Sequence, residues 1–159
     1  MADGISLSEN LQVASFRLAG RLFGVDLRDV REINADVSIT PIYHAPESVC
    51  GYMNIRGQIH LVVDLRSEFG FDPGKTESTS RVVIFKNTVD EPFGVLVDTM
   101  EDIVEIDSQK IVDRREGEKL GEGLPQEKRK SRQGLCMGVY PLTKELLLLL
   151  DSKAILAAD

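Results

Sequence analysis

The stretch GYMNIRGQIHLVVD, residues 51–64, places apolar residues on both sides of Arg56-Gly57-Gln58. Tyr52 to Ile55 reads as one strand and Ile59 to Leu65 as its return, with glycine in the turn between them, which is the pattern of a β-hairpin. The arrangement recurs at GVYPLTKELLLLLD, residues 138–151. Gly51, Ile55, Gln58, Ile59, Leu61, Val62, Val63 and Asp64 correspond to Gly138, Leu142, Glu145, Leu146, Leu148, Leu149, Leu150 and Asp151 at a constant offset of 87 residues. A second repeat points the same way. Phe23-Gly24-Val25 is followed by Asp29-Val30-Arg31-Glu32-Ile33, and Phe93-Gly94-Val95 by Asp102-Ile103-Val104-Glu105-Ile106. Each half therefore supplies an FGV strand and a later hairpin that ends in aliphatic residues and Asp. A five-stranded barrel of about 65 residues is marginal alone, so two of them gain stability by packing together. Packing would create a shared core, a groove, and two related but unequal surfaces for two partners.

Outward from these repeats the chain reads as all-β, two packed five-stranded barrels with short helical turns and a short C-terminal helix. Ala14, Phe16 and Leu18 alternate with Val13, Ser15 and Arg17, which predicts a strand buried on one face. Gly20-Arg21 reads as a turn and Leu22 to Leu27 as the return strand. Asp29 to Ile33 suits a single helical turn, and Pro41 makes Ser38 to Tyr43 an edge or extended segment. Arg81 to Phe85, Phe93 to Val97 and Met100 to Ile106 are further strands. Gly134 to Leu142 and Lys144 to Leu150 form the last hairpin, and Asp151 to Ala158 a terminal helix capped by Asp151 or Ser152. No segment holds a long apolar period of 3.6 residues, which argues against helical and βαβ folds. The expected organisation is a flexible tail over 1–11 and one domain over 12–156. Within it, subdomain 1 covers about 12–70 and subdomain 2 about 80–156, with a linker at 70–80 and a charged mobile loop at 113–133.

With 159 residues, 42% hydrophobic, the chain can bury a substantial core, although Trp is absent and aromatics make up only 6%. The net charge of −7 repels phosphate backbones and anionic lipid heads, so neither nucleic acid nor a membrane surface is an expected direct partner. The longest apolar run, Leu146 to Leu150, is far short of the ~20 residues of a membrane span. The N-terminus lacks the basic start and apolar run of a signal peptide, which implies a cytoplasmic location. Cys50 and Cys136 lie among apolar neighbours, as buried thiols of a reduced protein do.

Catalytic constellations are weak. His44 and His60 are the only histidines, and neither has the spacing of a metal site or a partner nucleophile. His60 alternates with Ile59 and Leu61 and is expected to face solvent or a groove. Asp64 and Asp98 each follow an aliphatic pair. They would serve either as turn caps or, if brought together in a cleft, as a hydrolytic pair. No catalytic residue, metal or cofactor is assigned. Arg56 stands out, because an arginine on a rigid turn can grip a carboxylate with two hydrogen bonds. The residues alone leave it as either such a donor or an ordinary exposed turn arginine. The equivalent position in the second half holds Thr143. A small-molecule-binding β-domain using the inter-barrel groove is the alternative function.

The motifs GYMNIRGQIHLVVDLRSEFG, FGVDLRDVREI, ITPIYHAPESVCG, FGVLVDTMEDIVEI and the final LLLLLDSKAIL, in that order, resemble those of CheW-like domains over about residues 12–156. The resemblance implies two five-stranded barrels around a common core. It implies a non-catalytic, stand-alone chemotaxis adaptor joining chemoreceptor cytoplasmic tips to the regulatory domain of the histidine kinase CheA. It also implies a receptor-binding groove involving Val30, Glu32, Ile55, Arg56 and Gly57, with Glu32 and Arg56 as the charged pair. Kinase-binding residues are not assigned. The sequence departs from the family pattern at His60 and Leu61, where an apolar residue and Pro are common, and in a longer charged loop at 113–133.

Overall fold

The computed structural model describes residues 10–71, 76–86, 92–112 and 136–157. The charged loop expected at 113–133 and most of the expected tail lie outside the described residues. The described residues form ten strands, β1 (Asn10–Leu18), β2 (Arg21–Asp26), β3 (Val30–Asn34), β4 (Val49–Ile55), β5 (Gln58–Val63), β6 (Arg81–Phe85), β7 (Phe93–Val97), β8 (Thr99–Asp107), β9 (Cys136–Pro141) and β10 (Leu146–Leu150), followed by helix α1 (Ser152–Ala157). They form two five-stranded sheets, ordered β8-β1-β2-β10-β9 (sheet A) and β3-β6-β7-β5-β4 (sheet B).

The repeat seen in the sequence is a repeat of topology. Replacing β1 to β5 by β6 to β10, and the reverse, converts the strand order of sheet A into that of sheet B. The sheets nevertheless cut across the sequence halves. Sheet A takes β1 and β2 from the first half and β8 to β10 from the second, and sheet B does the converse. The FGV strand of each half pairs in parallel with the aliphatic strand of the other: Leu148 faces Phe23 and Leu149 faces Gly24, while Val62 faces Gly94 and Val63 faces Val95. The two edges of each sheet are also linked. Thr40, beyond β3, bridges Tyr52 of β4, and Val112, beyond β8, bridges Val139 of β9. The constant offset between the hairpins reflects a shared irregularity, since both registers shift just before glycine, around Cys50 and around Met137.

Three apolar cores result. Val13, Leu22, Ile106, Leu147 and Leu149 pack together in sheet A, and Met53, Ile55, Val62, Val82, Ile84 and Leu96 in sheet B. The third core joins the sheets, with Ala14, Phe16, Leu18, Phe23 and Val25 packed with Val63, Val83, Phe85, Phe93, Val95 and Val97. Phe69, from a 3₁₀ turn over Ser67–Phe69, adds its ring to this core, 4.9 Å from that of Phe23 between centroids. Central strands are therefore buried on both faces. This corrects the reading of β1, in which Val13 and Ser15 are as buried as Ala14 and Phe16. In both FGV triplets the Phe and Val side chains enter the shared core. The glycine faces the sheet's own interior, where a Cβ on Gly94 would lie 2.7 Å from Val82 Cγ1 and 2.8 Å from Ile84 Cδ1. Gly24 is crowded likewise by Val13 and Leu147.

Other local expectations shift. The helical turn forms at Leu27–Asp29 and not over Asp29 to Ile33, because the Asp26 carboxylate accepts the Arg28 N–H at 2.9 Å. Val30 onward is then free to join sheet B as β3. The first hairpin turns at Ala19-Gly20, both with positive φ, and not at Gly20-Arg21. His60 is buried, opposite Met53 in sheet B, because the period of β5 places its ring on the interior side. Its Nδ1 lies 3.1 Å from the Gln58 carbonyl oxygen, and its Nε2 is buried without a hydrogen-bond partner.

Three outcomes follow from this packing. Gly94→Ala overpacks sheet B and lowers stability by about 1–3 kcal/mol, read from the urea midpoint. His60→Leu removes an unsatisfied buried polar atom and raises stability by about 1 kcal/mol in the same assay. Fragments 1–75 and 76–159, expressed separately, show no cooperative unfolding transition, whereas an equimolar mixture regains sheet circular dichroism. Independent folding of either fragment would mean that the exchange of strands between halves is not essential.

Candidate functional site

The β4–β5 hairpin closes through Arg56-Gly57, with Ile55 opposite Gln58. Both turn residues have positive φ, +52° and +83°, the pattern of a type I′ turn whose twist matches the flanking strands. Glycine adopts this region freely, but arginine does so at a cost in backbone strain. The Asn54 side-chain oxygen accepts the Gly57 N–H at 2.9 Å and holds the tip closed. Arg56 is thereby raised off the end of sheet B, with its side chain 71% exposed. In the second half Leu142 N–H bonds the Glu145 carbonyl around the corresponding tip, Thr143-Lys144, which has no residue of positive φ. The halves share the hairpin and differ at its tip.

From the opposite edge of the sheet, β3 presents Glu32. Its carboxylate accepts Arg56 Nη1 at 2.6 Å, and Arg31 Nε lies 4.0 Å away. Glu32 is mostly covered while Arg56 is open to solvent, so the pair offers a guanidinium with donors to spare. Exposed pairs of this kind contribute about 0–1 kcal/mol, too little to explain a strained arginine by stability alone.

The five residues expected to form a groove divide into three settings. Glu32 and Arg56 are joined, with Gly57 exposed beside them. Ile55 is buried in the interior of sheet B and supports the hairpin from beneath. Val30 is partly buried and packs against the core between the sheets. Glu32, Arg56 and Gly57 thus lie at the hairpin tip of sheet B, whereas Val30 and Ile55 pack against two different apolar cores.

Sequence reasoning left Asp64 and Asp98 as separate turn caps or a hydrolytic pair. The structure brings them together around Arg66, a residue it had not singled out. The Arg66 side chain is 4% exposed, donates Nη1 to Asp64 at 2.8 Å and pairs through Nη2 with Asp98. Asp64 also accepts the Arg66 backbone N–H at 3.0 Å, and Asp98 the Ala19 N–H at 2.8 Å. Both carboxylates are thus committed to a buried cation and to backbone donors, which does not suit a general acid and base pair. The signal in the sequence is the repetition of an aliphatic pair plus Asp, VVD at 62–64 and LVD at 96–98.

Burial pushes the Cys50 thiol up to about 12, with the Asp64 charge acting in the same direction, so it is held as an unreactive thiol. Among the described residues no three His, Cys, Asp or Glu side chains are grouped as metal ligands. Two hollows of about 350 and 370 Å³ lie at the start of β1 and beside the β1–β2 turn. Both are open, and neither is lined by Glu32, Arg56, Asp64 or Asp98, unlike the deep pocket that the small-molecule reading requires.

Comparison with known proteins gives consistent results. A family model described as the CheW-like domain matches residues 12–159. The chain is 30% identical over 100 residues to the chemotaxis protein CheW of Rhizobium meliloti, covering 63% of this chain and 64% of that protein. It is 30% identical over 96 residues to the CheW of Klebsiella aerogenes, 60% of this chain and 57% of that one, so these two matches span less than two thirds of the relatives' length. A probable chemotaxis protein CheW of Rhizobium etli is 24% identical over 145 residues, 91% of this chain and 86% of its own. Among solved structures, the scaffolding protein TtCheW from Thermoanaerobacter tengcongensis superposes with a TM-score of 0.72 at 26% identity, covering 90% of each chain. The duplicated ten-strand fold, the arginine-tipped hairpin and the match across almost the whole domain agree: the chain belongs to the CheW-like domain family.

Proposed function

We propose that this chain is a cytoplasmic chemotaxis adaptor that couples the cytoplasmic tips of chemoreceptors to the regulatory domain of the histidine kinase CheA. The observation that carries this reading is the Glu32–Arg56 pair, an arginine held in a strained turn and presented to solvent by a rigid hairpin. The names of its relatives support the pathway, and Asp64 and Asp98 are engaged by the buried Arg66 guanidinium. Receptor tips are helical coiled coils. An exposed Arg56, paired with a mostly covered Glu32 on a hairpin anchored through buried Ile55 and beside partly buried Val30, can meet one such helix, the guanidinium gripping a carboxylate on it. The topological repeat supports the second half of the reading, since sheet A offers a related surface that lacks the arginine.

The test is a three-component assay with this protein, its cognate kinase and receptor signalling fragments, read by kinase autophosphorylation. Kinase activity that does not respond, with no binding to either partner, overturns the adaptor reading. Arg56→Glu is expected to weaken receptor-fragment binding about 30-fold, the loss typical of an interface anchor. The urea midpoint and kinase binding should stay near those of the parent, because the Glu32 pair it breaks is exposed. Unchanged receptor affinity would remove Arg56 from the contact.

A further inference from the structure

The core between the sheets is built from aliphatic and aromatic side chains, and apolar packing has little directional preference. Directional contacts across that seam converge at the crossover from β7 to β8. Asp98 is the single residue between a strand of sheet B and a strand of sheet A. Its N–H donates to the Arg17 carbonyl of β1 at 2.9 Å, and its carboxylate accepts Ala19 N–H from the β1–β2 turn, both on the sheet A side. From the sheet B side it receives the buried Arg66 guanidinium, which also holds Asp64 at the end of β5. The Asp64 N–H continues the chain to the Ser48 carbonyl ahead of β4, at 2.6 Å. At the other end Arg17 donates to both Glu145 carboxylate oxygens, at 3.0 and 2.7 Å, in the β9–β10 turn. A continuous polar chain thus runs from the β4–β5 hairpin to the β9–β10 hairpin across the seam. At the related crossover from β2 to β3, Asp29 accepts a Ser152 hydroxyl at 2.9 Å in place of a guanidinium.

A buried ion cluster is poor evidence for stability, because desolvation offsets most of its attraction, and its better attested role is to fix register. We infer that Arg66 is a positioning residue. With Asp64 and Asp98 it locks the orientation of sheet A against sheet B, so that a partner held at Arg56 on sheet B and a partner held elsewhere on the chain meet one rigid body. The inference rests on the adaptor reading. Simultaneous engagement of two partners is where rigidity matters, since the gain from binding both vanishes when their geometry is not fixed.

Two conservative variants separate this role from folding. Asp98→Asn keeps an acceptor for the Ala19 N–H and leaves Arg66 paired with Asp64. Arg66→Lys keeps the charge and loses the two-pronged donor. Each is expected to bind receptor fragment alone and kinase domain alone within about threefold of the parent, while maximal kinase activation with both partners at saturation falls about fivefold or more. Activation equal to the parent's, or a loss that merely tracks a weakened binary affinity or a collapsed urea transition, overturns the inference. A second measurement needs no partner. Amide exchange of Ala19 and Asp98 should accelerate in Arg66→Lys while Val63 and Val95 stay protected, and unchanged exchange at the crossover overturns the lock directly. A parent protein that fails to activate the kinase refutes the adaptor reading, whereas normal exchange in the variant refutes the lock.

Discussion

The fold depends on strands that must be buried on both faces. Sheets A and B each enclose an apolar interior and also share a third core, so β1, β2, β7 and β10 have no face to give to water. That requirement explains the FGV triplet. Phe and Val are large because they fill the space between the sheets, and the glycine between them is bare because the opposite side has no room for a methyl group. It also explains how a core with few aromatics suffices. Buried valines, leucines and isoleucines contribute roughly 1.5–3 kcal/mol each, and two-sided strands place many of them out of water.

The same constraint couples the two halves of the chain. A barrel assembled from one half would leave its FGV strand without the parallel partner that the other half supplies. Exchange of strands makes the domain one cooperative unit even though its sequence is a duplication. Duplication with exchange has a functional corollary. Two equivalent hairpins project from two equivalent sheets, and one of them has become an arginine-bearing left-handed turn paired with Glu32. Divergence at a hairpin tip perturbs no core, so one tip can change its surface chemistry while the fold and the other tip are kept.

Polar groups occupy the places where apolar packing cannot decide geometry. The Asp98 crossover lies at the seam between the two sheets. The Arg66 guanidinium supplies fixed directions there. His60 is the counterexample, a polar ring placed inside sheet B by strand period, with one nitrogen left without a partner.

How much of this was legible depends on the range of the interaction. Alternation and turn residues are local, so the sequence by itself determined the all-β class, most of the ten strands, the hairpins and the repeat at a constant offset. The glycine turn and the polar identity of Arg56 and Glu32 were likewise readable, as was the family. Strand partners were not. Which half completes which sheet depends on contacts between residues far apart in sequence, and an FGV strand reads the same whoever its neighbour is. One-sided burial was misjudged at β1 and at His60 because a period of two assigns faces without saying whether both are covered. Arg66 was overlooked for the same reason, since an arginine after a strand reads as solvent-exposed until tertiary structure sets Asp98 against it. Local chemistry wrote the elements, and only the packing of two sheets on one shared core decided which charges are buried and which are presented.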